Sequence, residues 1–242
     1  MKGWRARIGF LVPPGNPTVE PEMAELTPPG VSLHFTRMSA EGPAGTHAGQ
    51  EERNRSQVES IPACVRLLSM VGPSVIVLAH TATSYTLGEA REAALVTAME
   101  ALGNARFVTA FGSVLAAFKA LGVRRIAYAT PYSADMTALG RLHLEKCGVT
   151  VVNSGHLDNV RNIYEENSER AYAIARQVDR PDAEAIFLSG VGMPTLDALQ
   201  VLEDDTGKPV ISAASAMMWH ALRTAGIRHP FSGYGRLLSG DF

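Results

Sequence analysis

Cysteine is scarce in this chain. Only Cys64 and Cys147 occur in 242 residues, far apart and each inside a stretch of helical period, so both read as structural thiols. With no CxxC, no HExxH and no carboxylate cluster at ligand spacing, nothing in the sequence argues for a metal site. No GxGxxG follows the first apolar run, which disfavours a dinucleotide site, and the Gly-Lys-Ser or Gly-Lys-Thr of a P-loop is absent. Lysine and arginine are scattered and the formal net charge is −2, leaving no basic footprint for nucleic acid or for an acidic membrane surface. The apolar run after the first basic residues is too short for a signal sequence and ends in Pro13-Pro14-Gly15-Asn16. It reads as a first strand of a cytoplasmic protein. The expected catalyst is protein alone, with no cofactor.

What the chain does contain is 46% apolar residues without low-complexity tracts, enough for a large core. Short aliphatic and β-branched runs are expected as strands at 7–12, 31–38, 74–80, 106–110, 125–130, 149–156, 183–189 and 209–212. Between them, helical spacing begins at Ser56, Gly88, Ser113, Asp135, Ser168, Thr195 and Ser215. Alternation of this kind is the pattern of an α/β protein with mostly parallel strands. The order also repeats: Arg7, Val31, Ile76 and Phe107 open stretches resembling those at Arg125, Val149, Ile186 and Pro209. The expected fold is therefore α/β, with two pseudo-symmetric Rossmann-like (flavodoxin-like) halves, parallel sheets and a cleft between them. Residues 1–111 form the expected N-terminal half and 112–212 the C-terminal half, with 213–242 packing back on the first.

Ligands of open α/β sheets bind beyond the carboxyl ends of strands. Here those ends are Pro13–Asn16, His80–Ser84, Thr130–Ser133 and Ser189–Pro194. In the first, Asn16 offers an amide and the following backbone N–H groups suit an anion, although Asn16 alternatively caps the next helix. In the third, Ser133 reads as either a ligand or an N-cap, and Tyr132 after Pro131 is the better candidate for the cleft. The fourth holds Gly190 and Gly192, whose lack of a side chain allows backbone N–H groups to approach a ligand. His80 at the end of an apolar strand is either a proton carrier, with an ordinary pKa near 6.5, or a hydrogen-bonded core histidine. His47 reads as a solvated residue of a flexible loop, and "EERNR" (51–55) as a charged helix surface. Tyr85, Phe111 and Met193 read as core more readily than as a pocket wall.

"PPGNPTVE", "VIVLAHTATS", "LGVRRIAYATPY" and "IFLSGVGMPTLDAL" together resemble the aspartate/glutamate racemase superfamily, in its arylmalonate decarboxylase and maleate isomerase branch. The resemblance spans nearly the whole chain. It implies a cofactor-free pocket between two halves that holds a small carboxylate. Asn16, Tyr132 and Asn162 match carboxylate-holding residues. Thr81, Tyr132 and the backbone near Val191 match enediolate-stabilising donors, and Val160 and Ile163 match the apolar wall beside the carboxylate that leaves. Pro14, Ala82, Ser133, Gly190 and Gly192 complete the expected lining.

The departures are decisive for the chemistry. Racemases and maleate isomerases carry a cysteine at both strand ends and the decarboxylase at the second; at those positions this chain has His80 and Gly190. Isomerisation by thiolate addition and two-thiol racemisation both lack their nucleophile or proton carrier. The sequence favours a decarboxylase-like lyase working through an enediolate, with His80 supplying the proton. Alternatives are a hydrolase with His80 as base and a carboxylate-binding protein without turnover. A homo-oligomer is compatible with the sequence, which does not set a copy number.

Overall fold

Two four-residue runs, Val75–Leu78 and Ala185–Leu188, are buried along their whole length, the signature of strands covered on both faces. In the computed structural model, which describes residues 2–240, each lies inside its own parallel sheet. The first half runs β1 (Ala6–Val12), α1 (Val19–Glu25), β2 (Val31–Arg37), α2 (Gln50–Ser69), β3 (Val75–Leu78), α3 (Thr81–Leu87), α4 (Glu89–Gly103) and β4 (Arg106–Thr109). After α5 (Ala110–Leu121) the second half follows: β5 (Arg125–Thr130), α6 (Ala134–Lys146), β6 (Thr150–His156), a 3₁₀ turn (Ile163–Glu165), α7 (Ser168–Val178), β7 (Ala185–Leu188), α8 (Leu196–Thr206) and β8 (Val210–Ser212). Helices α9 (Ala213–Thr224) and α10 (Arg236–Ser239) close the described chain.

The sheet orders are β2-β1-β3-β4 and β6-β5-β7-β8, the same order twice. Equivalent strands start in the same register, Ile8 pairing with Leu33 and Val75 and Ile126 with Val151 and Ala185, but a bulge after Ile126 shifts the β5–β6 pairing by one residue. In each sheet the chain reverses its direction of winding between the two central strands, and this is where a crevice opens beyond the strand ends. Helices α5 and α9, each following the last strand of a sheet, pack along one another, and α9 also reaches α1, β3 and β4.

Two elements near the crevice differ from expectation. The strand expected to reach His80 stops at Leu78, and "TATSYTL" forms α3 directly after His80. β-Branched residues weaken helical propensity, but Thr81 to Tyr85 are all buried, and packing overrides that preference. Helix α2 begins at Gln50 rather than Ser56, which carries "EERNR" onto its first turns.

Candidate active site

The loops after β1, β3, β5 and β7 converge on a cavity of about 40 Å³. Asn16, His80, Tyr132, Ile163, Val191 and Gly192 line it; Pro14, Thr81, Ala82, Ser133, Val160, Asn162 and Gly190 are not among its lining residues. Pro14 uses its carbonyl to accept from Arg37 Nη1 (3.2 Å), and Ala82 is core. Ser133 caps α6 by accepting from Met136 N (3.3 Å) and faces a neighbouring cavity of about 540 Å³. Val160 packs partly buried against the main core. Asn162 Oδ1 accepts from Tyr164 N (2.9 Å) while its amide donates to Ala44 O (3.3 Å).

Asn16 both caps and donates. Its Oδ1 accepts from Thr18 N (2.8 Å) and Val19 N (3.0 Å), so the N–H groups expected to receive an anion are already satisfied. Nδ2 donates to Val191 O at 3.0 Å, which leaves the second amide hydrogen without a protein acceptor. Thr18 Oγ1 donates to Gly192 O (2.8 Å), and Glu22 Oε1 accepts from Thr195 N (2.6 Å) and Leu196 N (3.0 Å). The start of α1 thus grips the loop after β7 across the two halves. Burial pushes the Glu22 carboxyl up to about 7, against the lowering effect of those two N–H bonds.

In that gripped loop the carbonyls of Val191 and Gly192 are occupied while the donors are open. Among the described residues no protein acceptor takes the N–H groups of Gly190, Val191 or Gly192, although all three residues are buried. Buried backbone N–H groups are rarely left unpaired, and consecutive ones form an anion-binding nest. Gly190 has φ +93°, and a Cβ there would lie 3.0 Å from Pro131 Cγ and 3.3 Å from Tyr132 Oη. Gly190 therefore permits a backbone shape that side chains resist. Tyr132 is buried, which raises its phenol above the ordinary range; the nearby hydroxyls of Thr81 and Ser189 act in the opposite direction. Thr81 Oγ1 is sealed and makes no hydrogen bond of normal geometry.

His80 is buried, and its Nδ1 lies 2.7 Å from Thr83 Oγ1. Burial first, and then the charge of Arg53, pull its pKa down to about 4. The ring is therefore neutral at physiological pH, without the minor protonated fraction that an ordinary value near 6.5 would give. The buried Thr83 hydroxyl has no other acceptor, so hydrogen-bond satisfaction makes it the donor to Nδ1 and puts the ring proton on Nε2. His80 lines the cavity, and among the described residues its Nε2 has no hydrogen-bond partner.

Part of the lining comes from a region read from sequence as surface. Segment 39–49 covers the cavity: Gly45 O accepts from Ile163 N (2.8 Å), and His47 Nε2 lies 2.9 Å from Pro131 O. His47 is thus half-buried and bonded rather than solvated. Gly45, at φ +76°, could not carry a Cβ, which would fall 1.8 Å from Asn162 Oδ1. Beneath this cover, Gln50, Arg53, Asn54 and Gln57 line the cavity from one face of α2, and Arg53 and Asn54 are buried despite belonging to "EERNR". Their i, i+3, i+4, i+7 spacing was visible in the sequence, but the stripe is polar and was not separable from a solvated face. Tyr164 and Thr46 also line the cavity without having been singled out. Tyr85, Phe111 and Met193 are core, with Tyr85 Oη 2.9 Å from Ser189 Oγ.

Neither cysteine lines the cavity, and burial raises the pKa of both thiols. Among the described residues no group of three or more His, Cys, Asp or Glu side chains could hold a metal ion, and no helix is long and apolar enough to cross a membrane.

The chain is 32% identical to the arylmalonate decarboxylase of Bordetella bronchiseptica, with 95% of each chain covered. It is 27% identical to the maleate isomerase of Geobacillus stearothermophilus over 98% of each. Among solved structures, the maleate isomerase Iso of Pseudomonas putida S16 superposes with a TM-score of 0.88 at 26% identity, covering 97% of this chain and 98% of that one. A crystal structure of arylmalonate decarboxylase gives 0.80 at 29% identity, covering 96% and 98%. The family model described as arylmalonate decarboxylase matches residues 8–238, so the chain belongs to the arylmalonate decarboxylase family, a group of lyases and isomerases.

Proposed function

We propose that the protein is a cofactor-independent lyase that removes carbon dioxide from a small dicarboxylic acid through an enediolate, with His80 as proton donor. The observation that carries this reading is that Val191 and Gly192, whose N–H groups have no acceptor among the described residues, line one cavity with a neutral imidazole. In the proposed reaction the bond between the α-carbon and one carboxylate breaks, and its electron pair delocalises into the retained carboxylate. Charge then grows on the two oxygens of the enediolate. Fixed donors aimed at charge that develops only in the transition state stabilise it more than the ground state. The free Asn16 amide hydrogen and the Tyr132 hydroxyl add to the backbone donors. His80 Nε2–H then protonates the α-carbon, the imidazolate left behind takes a proton from water, and the hydroxide so formed combines with the released carbon dioxide as bicarbonate; general acid transfer contributes on the order of a hundredfold to ten-thousandfold.

Thiolate addition to a double bond has no thiol available at this cavity. Hydrolysis with His80 as base requires a lone pair on Nε2, the tautomer that the Thr83 hydroxyl disfavours. At about 40 Å³ the cavity is well below the roughly 300–1,000 Å³ of typical ligand pockets, so substrate entry requires segment 39–49 to move.

The test is turnover of a panel of substituted malonates in D₂O, followed by NMR. Decarboxylation through an enediolate gives a product carrying one deuterium in place of the lost carboxylate, and His80→Ala loses at least a hundredfold in rate while still binding the acid. Binding without turnover by the unmodified protein supports the carboxylate-binding alternative instead, and undiminished turnover by His80→Ala removes His80 from the mechanism.

A further inference from the structure

The lining of the cavity contains one permanent charge. Arg53 reaches it from α2, is 7% exposed, and among the described residues pairs with no carboxylate. Its Nη groups donate to the backbone carbonyls of Thr46 and Ala48 in the covering segment. A guanidinium has five N–H donors in a planar fork, so two carbonyls leave it unsaturated. No aspartate or glutamate lines the same cavity. A buried cation without a counterion is expensive, and such charges are ordinarily paired. Gln57, one turn further along the same face, buries Oε1 without any partner. Two under-satisfied polar side chains four residues apart thus meet the cavity together.

Resting on the lyase reading above, we propose that Arg53 is a substrate-binding residue whose guanidinium pairs with the carboxylate retained in the reaction. The choice between the two carboxylates follows from charge flow. A guanidinium beside the departing group would stabilise the ground state, because that group loses its charge as carbon dioxide forms. Beside the retained group it meets charge that increases toward the enediolate, so the attraction grows along the reaction. Burial, with the charge of Arg53 as the lesser cause, lowers the pKa of His80.

Arg53 also ties down the covering segment, and its removal would loosen the site for any ligand. The diagnostic is therefore a ratio. Binding of phenylacetate and propionate is compared by calorimetry with that of their neutral amides, phenylacetamide and propionamide, for the unmodified protein, Arg53→Gln and Arg53→Lys. The expected result is a preference of at least a hundredfold for acid over amide, falling below tenfold in Arg53→Gln and partly kept in Arg53→Lys. A loose cover lowers both affinities together and leaves the ratio unchanged. If the unmodified protein prefers the acids and Arg53→Gln, shown to be folded by its thermal midpoint, keeps that preference, the role of Arg53 is overturned while the lyase reading stands. If Arg53→Gln does not fold, Arg53→Lys decides: a lowered ratio, from loss of the planar fork, supports pairing with the carboxylate, and a ratio equal to that of the unmodified protein refutes it. If the unmodified protein binds neither acid in preference to its amide, both proposals fall.

Discussion

Replacing Glu22 by Gln should flatten the dependence of stability on pH. Glu22 is buried at the junction of the halves, with Oε1 accepting two backbone N–H groups of the loop into α8 and Oε2 sealed without a partner. Its pKa rises from an ordinary 4.5 to about 7 because desolvation of the charged form outweighs those bonds. A carboxyl raised on folding binds protons more readily in the native state, so native stability is greatest below the unfolded value and declines as pH rises from about 4.5 through 7. At about 1.4 kcal/mol per pKa unit, the loss is about 3 kcal/mol. Gln keeps an oxygen in place of Oε1 and cannot ionise. His80 shifts the other way: its native pKa near 4 adds stability that is present above 6.5 and lost as pH falls toward 4. That contribution is common to both proteins and cancels in their difference. Urea unfolding between pH 4.5 and 8.5 is the assay, with the m-value checked for constancy. The unmodified protein should lose about 3 kcal/mol relative to Glu22→Gln over this range. Parallel stability curves would refute the reasoning and show that Glu22 titrates alike in the folded and unfolded protein.

Two further outcomes follow from the site. With His80 neutral above about pH 5, the rate of the catalysed reaction should run through pH 6.5 without the inflection of an ordinary histidine; an inflection at that pH in the unmodified protein, absent from His80→Ala, contradicts the depressed pKa. Introducing Gly190→Cys, to restore a thiol, should destabilise the fold by roughly 1–3 kcal/mol, because φ is +93° and the new Cβ presses on Pro131. Thermal denaturation measures this, and an unchanged midpoint would show that the loop after β7 relaxes freely.

The sequence by itself determined the repeated α/β plan and the loops that carry the site. Fully buried parallel strands demand uninterrupted apolar runs, and the two copies of that pattern made the equivalent strand ends legible, from His80 and Gly190 to Asn16 and Tyr132. What tertiary structure decided was the environment of those residues. The pKa of His80 depends on burial and on Arg53, which lies 27 positions away in the chain. The free N–H groups of the loop after β7 depend on a grip from Asn16, Thr18 and Glu22 in the other half. Arg53, Asn54 and Gln57 form a polar stripe whose local pattern is that of a solvated helix face, and only the fold of segment 39–49 over it turns that stripe inward. Periodicity reports which residues share a face of an element, whereas desolvation and hydrogen-bond partners are set by what the rest of the chain places against that face.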